Sequence, residues 1–168
     1  VLKYLQTLKG KKGFIYKNYT LGGTKWSEYE RLYFSDENAM KCDAIRSQIE
    51  KWKKEDKITE NEYYFLLTSL LEAIDKVANT ASVYGAFLKK LKTSALKPLI
   101  FLSPDYYLND HDHEVYNADI LEIAKITSHD VVYLDPPYNE RQYSANYHIL
   151  ETIAKYDTPR IKWKTGLR

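Results

Sequence analysis

The chain has 168 residues, about one domain's worth, and its 44% hydrophobic content suffices for a core. A formal net charge of +2 excludes a global electrostatic signature of nucleic-acid binding, so any such binding must rest on a local patch. A single cysteine, Cys42, excludes an intrachain disulfide framework, while the lack of an apolar run near the about 20 residues of a membrane span and of a signal-peptide pattern makes a soluble cytoplasmic protein the default expectation.

Residues 1–34 mix basic, aromatic and glycine residues. Lys9 to Lys12 with Gly10 and Gly13 reads as a turn, Phe14 to Tyr19 as a short extended piece, and Gly22-Gly23 as a loop. Ser35 is an N-cap candidate, and Asp36 and Glu37 suit the positive end of a helix dipole. Cys42, Ile45, Ile49 and Trp52 then recur at helical spacing and mark one buried face, closed by the charged stretch Lys51 to Lys57. Thr59 with Glu62 matches a capping box ahead of Tyr63, Leu66, Leu67, Leu70, Leu71, Ile74, Val77 and Ala78, again at helical spacing. Asn79 to Gly85 should end that helix.

Beyond Pro98 the pattern changes from helical to extended. Leu99 to Leu102 predicts a strand, Ser103 to Asp112 a loop, and Val115 to Asn117 a second short strand ending at Ala118-Asp119. Ile120 to Ile126 predicts one or two helical turns, Asp130 to Leu134 a third strand, and Ser144 to Lys155 a final helix with Ile149, Leu150, Ile153 and Ala154 inward. Strand–helix–strand succession predicts a parallel sheet with crossovers.

The third strand runs into Asp135-Pro136-Pro137-Tyr138. A double proline cannot continue a strand, so an acidic residue, two carbonyl-bearing prolines and an aromatic ring arrive together at its carboxyl end, where open α/β sheets bind ligands. That set suits a planar amino group: oxygens accept its hydrogens and the ring stacks on its face. The plainer reading is a strand-ending turn. Asp119 takes the corresponding place on the preceding strand, where a helix N-cap is the competing role.

Asn117-Ala118-Asp119-Ile120 and His129-Asp130-Val131-Val132-Tyr133-Leu134-Asp135-Pro136-Pro137-Tyr138 resemble the third and fourth conserved motifs of adenine-N6 DNA methyltransferases of the Dam-like branch, which includes many restriction–modification methylases. Asn139 to Tyr143 and Asn146 to Thr152 resemble the helix that follows them, and Tyr33 to Pro98 the helical segment that some members carry ahead of them. The resemblance implies an α/β fold: a partial Rossmann-like methyltransferase sheet, mostly parallel, with a helical insertion. Residues 1–98 would be a mostly helical, DNA-facing segment and 99–168 part of the catalytic α/β core.

It also implies S-adenosylmethionine as methyl donor and double-stranded DNA with a flipped adenine as partner, the base stacking on Tyr138. Asp135 and the Pro136 carbonyl would accept hydrogen bonds from the exocyclic amine and aim its lone pair at the donor methyl; Pro137 completes the catalytic tetrapeptide. Asp119, Ile120 and Asp135 would hold the cofactor. With Cys42 in a core helix and no Pro-Cys nucleophile, cytosine-C5 chemistry is disfavoured.

The family's glycine-bearing cofactor loop has no counterpart, because Gly10, Gly13, Gly22 and Gly23 lack a strand before and a helix after them. The chain is therefore expected to be incomplete, with sheet edges covered by another chain or segment and poor stability as a monomer. A non-catalytic nucleic-acid- or partner-binding fragment and an RNA amino-methyltransferase are the alternatives.

Arg141 is placed to meet the target strand or its phosphate. Lys89, Lys90, Lys92 and Lys97, interleaved with Tyr84 and Phe87, form either a phosphate-contacting patch or a solvated helix face. Asn79 to Leu88 resembles the family segment that approaches cofactor and DNA. His111-Asp112-His113-Glu114 reads as a solvated loop rather than a metal site, and no metal is expected. His129 and His148 take local polar roles. Trp26 and Trp163 could stack on bases, but packing is the expected use of both.

Overall fold

A computed structural model describes residues 1–136, Glu140 and 142–168. Two compact units form: Val1–Pro104 with Arg141–Arg168, and Asp105–Glu140.

The first unit is built on two long helices. α1 (Leu2–Thr7), α2 (Phe14–Tyr19) and α3 (Leu21–Thr24) precede α4 (Asp36–Lys54) and α5 (Glu60–Lys76). A 3-10 turn covers Thr93–Leu96. In the second unit lies α6 (Ile120–Ile126), and the chain returns to the first unit for α7 (Tyr143–Asn146) and α8 (His148–Lys155).

The helix signals act as the sequence implies. The Ser35 hydroxyl accepts from Asn38 N at 3.2 Å, and lysines gather in the last turn of α4. Thr59 and Glu62 form the reciprocal capping box of α5. Cys42, Ile45 and Ile49 of α4, Leu70 and Ile74 of α5, and Ile149 and Ile153 of α8 make the fully buried centre. Each such aliphatic side chain contributes roughly 1.5–3 kcal/mol by leaving water.

The expected Rossmann-like, mostly parallel α/β sheet is not formed. Among the described residues there is no strand, only two isolated bridges, parallel at Thr20–Phe34 and antiparallel at Lys162–Leu167. The reason differs from segment to segment. Leu99 to Leu102 keeps the strand alternation, with Leu99 and Phe101 buried and Ile100 and Leu102 exposed. Side-chain amides take the place of a neighbouring strand: Leu99 N donates to Asn38 Oδ1 at 2.8 Å and Phe101 N to Gln6 Oε1 at 2.7 Å. The Asn38 amide nitrogen in turn donates to the Ala95 and Lys97 carbonyls. Among the described residues Val115 to Asn117 and Val131 to Leu134 have neither a ladder partner nor a cover, and Val131 and Tyr133 are 84% and 87% exposed. An extended run without a paired edge gains no ladder bonds, whatever its β propensity.

Three shorter readings also change. Phe14 to Tyr19 is helix, because Asp43 of α4 accepts from Ile15 N at 3.0 Å and Tyr16 N at 2.9 Å and caps α2 from outside. That approach requires Gly13, where a Cβ would stand 2.5 Å from the Asp43 carboxyl carbon. Gly22 and Gly23 lie inside α3, started by the Thr20 hydroxyl accepting from Gly23 N. The final helix divides at Tyr147, whose φ of −127° and ψ of 13° fall outside the helical range.

Candidate functional site

In the second unit Asp119 begins α6: its Oδ1 accepts from Leu121 N at 2.8 Å, the N-cap role. Ile120 beside it is 66% exposed. Asp135 and Pro136 are exposed at the end of the uncovered run Val131 to Leu134. Among the described residues no hydrogen bond or ion pair joins Asp119 to Asp135. Pro137 of the tetrapeptide, Tyr138, expected to stack on the base, and Arg141, expected to meet the target strand or its phosphate, lie outside the described residues. Within His111 to Glu114, His113 Nε2 lies 3.0 Å from Asn109 Oδ1, and Glu114 accepts from the Tyr116 hydroxyl at 2.7 Å.

Lys89 and Lys90 belong to the first unit and are exposed, as is Lys97. Lys92 differs: its Nζ donates to the Thr80 carbonyl at 2.7 Å. These lysines follow a segment fixed by Asn79, which is fully buried. Its amide nitrogen donates to the Leu32 and Leu88 carbonyls at 2.8 and 3.0 Å, and its Oδ1 accepts from Lys92 N. Tyr84 is buried beside it, with its hydroxyl on Asp75 Oδ1 at 2.6 Å; burial and that carboxylate push its ionisation far up. Burial likewise raises Tyr33, and raises Tyr19 to about 12.

Several features escape a reading by sequence pattern. A cleft of about 850 Å³ runs along α7 and α8, lined by Leu71, Tyr143, Tyr147, Leu150 and Arg168. Tyr143 and Tyr147 meet edge to face there, with centroids 5.6 Å apart. The turn Lys162–Leu167 is gripped from beneath by the Tyr19, Arg31, Tyr33 and His148 side chains. His148 sits buried between the Ala145 and Thr165 carbonyls, at 3.0 and 2.9 Å, and burial holds its ring below the usual histidine range. No local spacing announces these ties, which span up to 147 residues.

The described residues thus present Asp135 beside Pro136 at the end of an exposed run, Asp119 capping a short helix upstream, and an open cleft lined by Tyr143, Tyr147 and Glu151. The family model of the D12 class N6 adenine-specific DNA methyltransferases matches residues 1–168. The chain belongs to that family. It is 55% identical over 168 residues to the type II methyltransferase M.NlaIII of Neisseria lactamica, covering 100% of this chain and 49% of that protein. It is 45% identical over 139 residues to the type II methyltransferase M.FokI of Planomicrobium okeanokoites, covering 83% and 22% of the two. Against the modification methylase StsI of Streptococcus sanguinis the figures are 44% over 138 residues, 82% and 21%. The chain thus spans about half or less of the length of these curated relatives. No solved structure matches it. No helix of the described residues is long and apolar enough to cross a membrane.

Proposed function

We propose that this chain carries the target-amine segment of a restriction–modification methylase that methylates adenine N6 in double-stranded DNA. The observation that carries the reading is Asp135-Pro136-Pro137-Tyr138 within a family match that covers the whole chain. The relatives' names as type II methyltransferases and a modification methylase support the restriction–modification setting.

S-adenosylmethionine, when bound, supplies an electrophilic methyl group. The residues present fit its adenosyl part in chemistry: Asp119 offers a carboxylate to an exocyclic amine, and Ile120 beside it offers an exposed apolar side chain. One Asp119 oxygen is committed to the α6 cap, which fixes the side chain for that role. Asp135 and the Pro136 carbonyl accept the two hydrogens of the target amine and direct its lone pair outward, an orienting effect rather than covalent catalysis. Tyr138 stacks on the flipped adenine. Arg141 and the exposed Lys89 and Lys90 contact phosphate.

Transfer of labelled methyl from S-adenosylmethionine to duplex DNA tests this. Asp135→Asn keeps the shape and removes the charged acceptor, and methylation should fall about 100-fold or more, with the residual label on adenine N6. Unchanged transfer by Asp135→Asn, or label on cytosine, would overturn the assignment. Absence of saturable cofactor binding and of transfer by the chain would leave the non-catalytic binding fragment as its role.

A further inference from the structure

Trp26 and Trp163 do not pack. They are 87% and 67% exposed, against the burial expected of the largest side chains in a chain of this size. Both also hold left-handed backbones, with φ of 71° and 60°. For a bulky residue that conformation is unfavourable and persists only where the surroundings fix it.

The surroundings do fix it. Arg31, itself buried, donates from its guanidinium to the Trp163 carbonyl at 2.6 Å, the Lys164 carbonyl at 3.1 Å and the Asn18 carbonyl at 3.3 Å. Its backbone N donates to Thr24 Oγ1 at 2.8 Å, which ties down the loop that carries Trp26. Ser27 Oγ closes the same loop on the Thr24 and Tyr29 carbonyls. Below the other turn, Tyr19 donates to the Gly166 carbonyl and Tyr33 to that of Thr165. Two indoles therefore project into solvent from backbones anchored underneath by one shared arginine.

Ser27 and Trp163 line one cleft of about 560 Å³, together with Arg160 and Lys162. Lys25 Nζ lies 4.9 Å from the centre of the Trp26 ring. Lys25, Arg160, Lys162 and Lys164 form no ion pair among the described residues. Glu28 is the acidic residue in the cleft wall, where Arg160 and Lys162 outnumber it and leave the lining attractive to a polyanion. Lysine is depleted at the centres of protein–protein interfaces, whereas rigid aromatics interleaved with free cations recur where unpaired bases stack and phosphates are neutralised.

We infer that this face binds a nucleic-acid strand with exposed base faces: Trp163 in the cleft wall, and Trp26 one residue before the cleft-lining Ser27, stack on bases while Arg160, Lys162 and Lys164 meet the backbone. For a base-flipping enzyme such a strand is locally opened DNA. The inference rests on the adenine-methylation reading only for the identity of that partner.

Fluorescence anisotropy of a labelled single-stranded deoxyoligonucleotide, titrated with the whole chain, tests it alongside quenching of tryptophan emission. Trp163→Ala should weaken binding about tenfold, Trp163→Phe should restore most of that, and Arg160→Gln should lower the log-affinity against log-salt slope by nearly one. A variant keeping only Trp52, with Trp26→Phe and Trp163→Phe, should lose the quenching. Unaltered affinity in a Trp163→Ala chain of normal melting temperature, or no oligonucleotide binding by the parent chain, would overturn the inference; the first result would assign the indoles to a protein contact. Methyl transfer by Asp135→Asn is scored separately, so failure of the catalytic reading leaves this result interpretable.

Discussion

Replacing Arg46 by methionine should strongly destabilise the first unit. The arginine is 0% exposed. Its guanidinium donates to the Ile153 carbonyl at 2.8 Å, the Ala154 carbonyl at 3.0 Å, Glu50 at 2.9 Å and the Tyr63 hydroxyl at 2.9 Å, and it lies 4.9 Å from the Tyr156 ring centre. The two carbonyls belong to the last turn of α8, where no intrahelical donor remains and the helix dipole is negative. Methionine fills the volume of the stem but leaves both carbonyls without a donor, at about 1–3 kcal/mol each. Glu50 is 28% exposed, so water takes over most of its share and that pair adds only about 0–1 kcal/mol. These terms add to roughly 2–7 kcal/mol, and the about 3–5 kcal/mol seen when one member of a buried charged pair is removed falls inside that span and is taken as the expected loss. At about 2–4 °C per kcal/mol for a chain of this size, the melting temperature should drop by roughly 6–20 °C. Thermal circular dichroism and urea titration read the loss directly. Arg46→Lys, which keeps the charge but cannot fork to both carbonyls, should retain more than half of it. A loss under about 1 kcal/mol for Arg46→Met would refute the idea that this arginine closes α8 onto α4.

His148 gives the chain a pH dependence of definite sign. Its folded value is depressed by burial below the ordinary 6.5, so the stability it contributes is present above 6.5 and is lost as pH falls through the lower folded value, because the unfolded chain takes up the proton first. Urea midpoints should decline across that window, and His148→Gln should flatten the decline; an unchanged slope would exclude the ring as its source. Gly166→Ala should cost about 2–3 kcal/mol, since φ is 72° and the added Cβ would stand 2.8 Å from a Tyr19 ring carbon. Equal urea midpoints for the alanine and parent chains would show that the Lys162–Leu167 turn does not depend on that glycine.

What the sequence reveals is what is written locally. Ser35 with Asp36 and Glu37, and Thr59 with Glu62, announce their helices within four residues, and both helices form there. Asp119 announces α6 in the same way. Phe14 to Tyr19 gives no such sign, because its cap is Asp43, 28 positions downstream of Ile15. Leu99 to Leu102 shows the right alternation of buried and exposed side chains, yet nothing nearby says that Gln6 and Asn38 will take the place of a strand. The Val131 to Leu134 run names a β propensity but not a partner, and a strand is a property of the pair. The candidate site divides along the same line. Its tetrapeptide is legible because the chemistry resides in residue types, whereas the exposed poses of Trp26 and Trp163 depend on Arg31 holding segments 132 residues apart.

The first unit is assembled from two separate stretches of chain, Val1–Pro104 and Arg141–Arg168, stitched through Arg46, Arg31, Tyr33 and His148. The stretch bearing Asp119 and Asp135 is an excursion from a framework that closes on itself without it. Since the entropy of closing an excursion rises only slowly with its length, insertions and deletions between Asp105 and Glu140 are cheap for the framework. Length differences among relatives should therefore concentrate in the excursion, outside Asp119 and Asp135, rather than among the stitched residues of the framework.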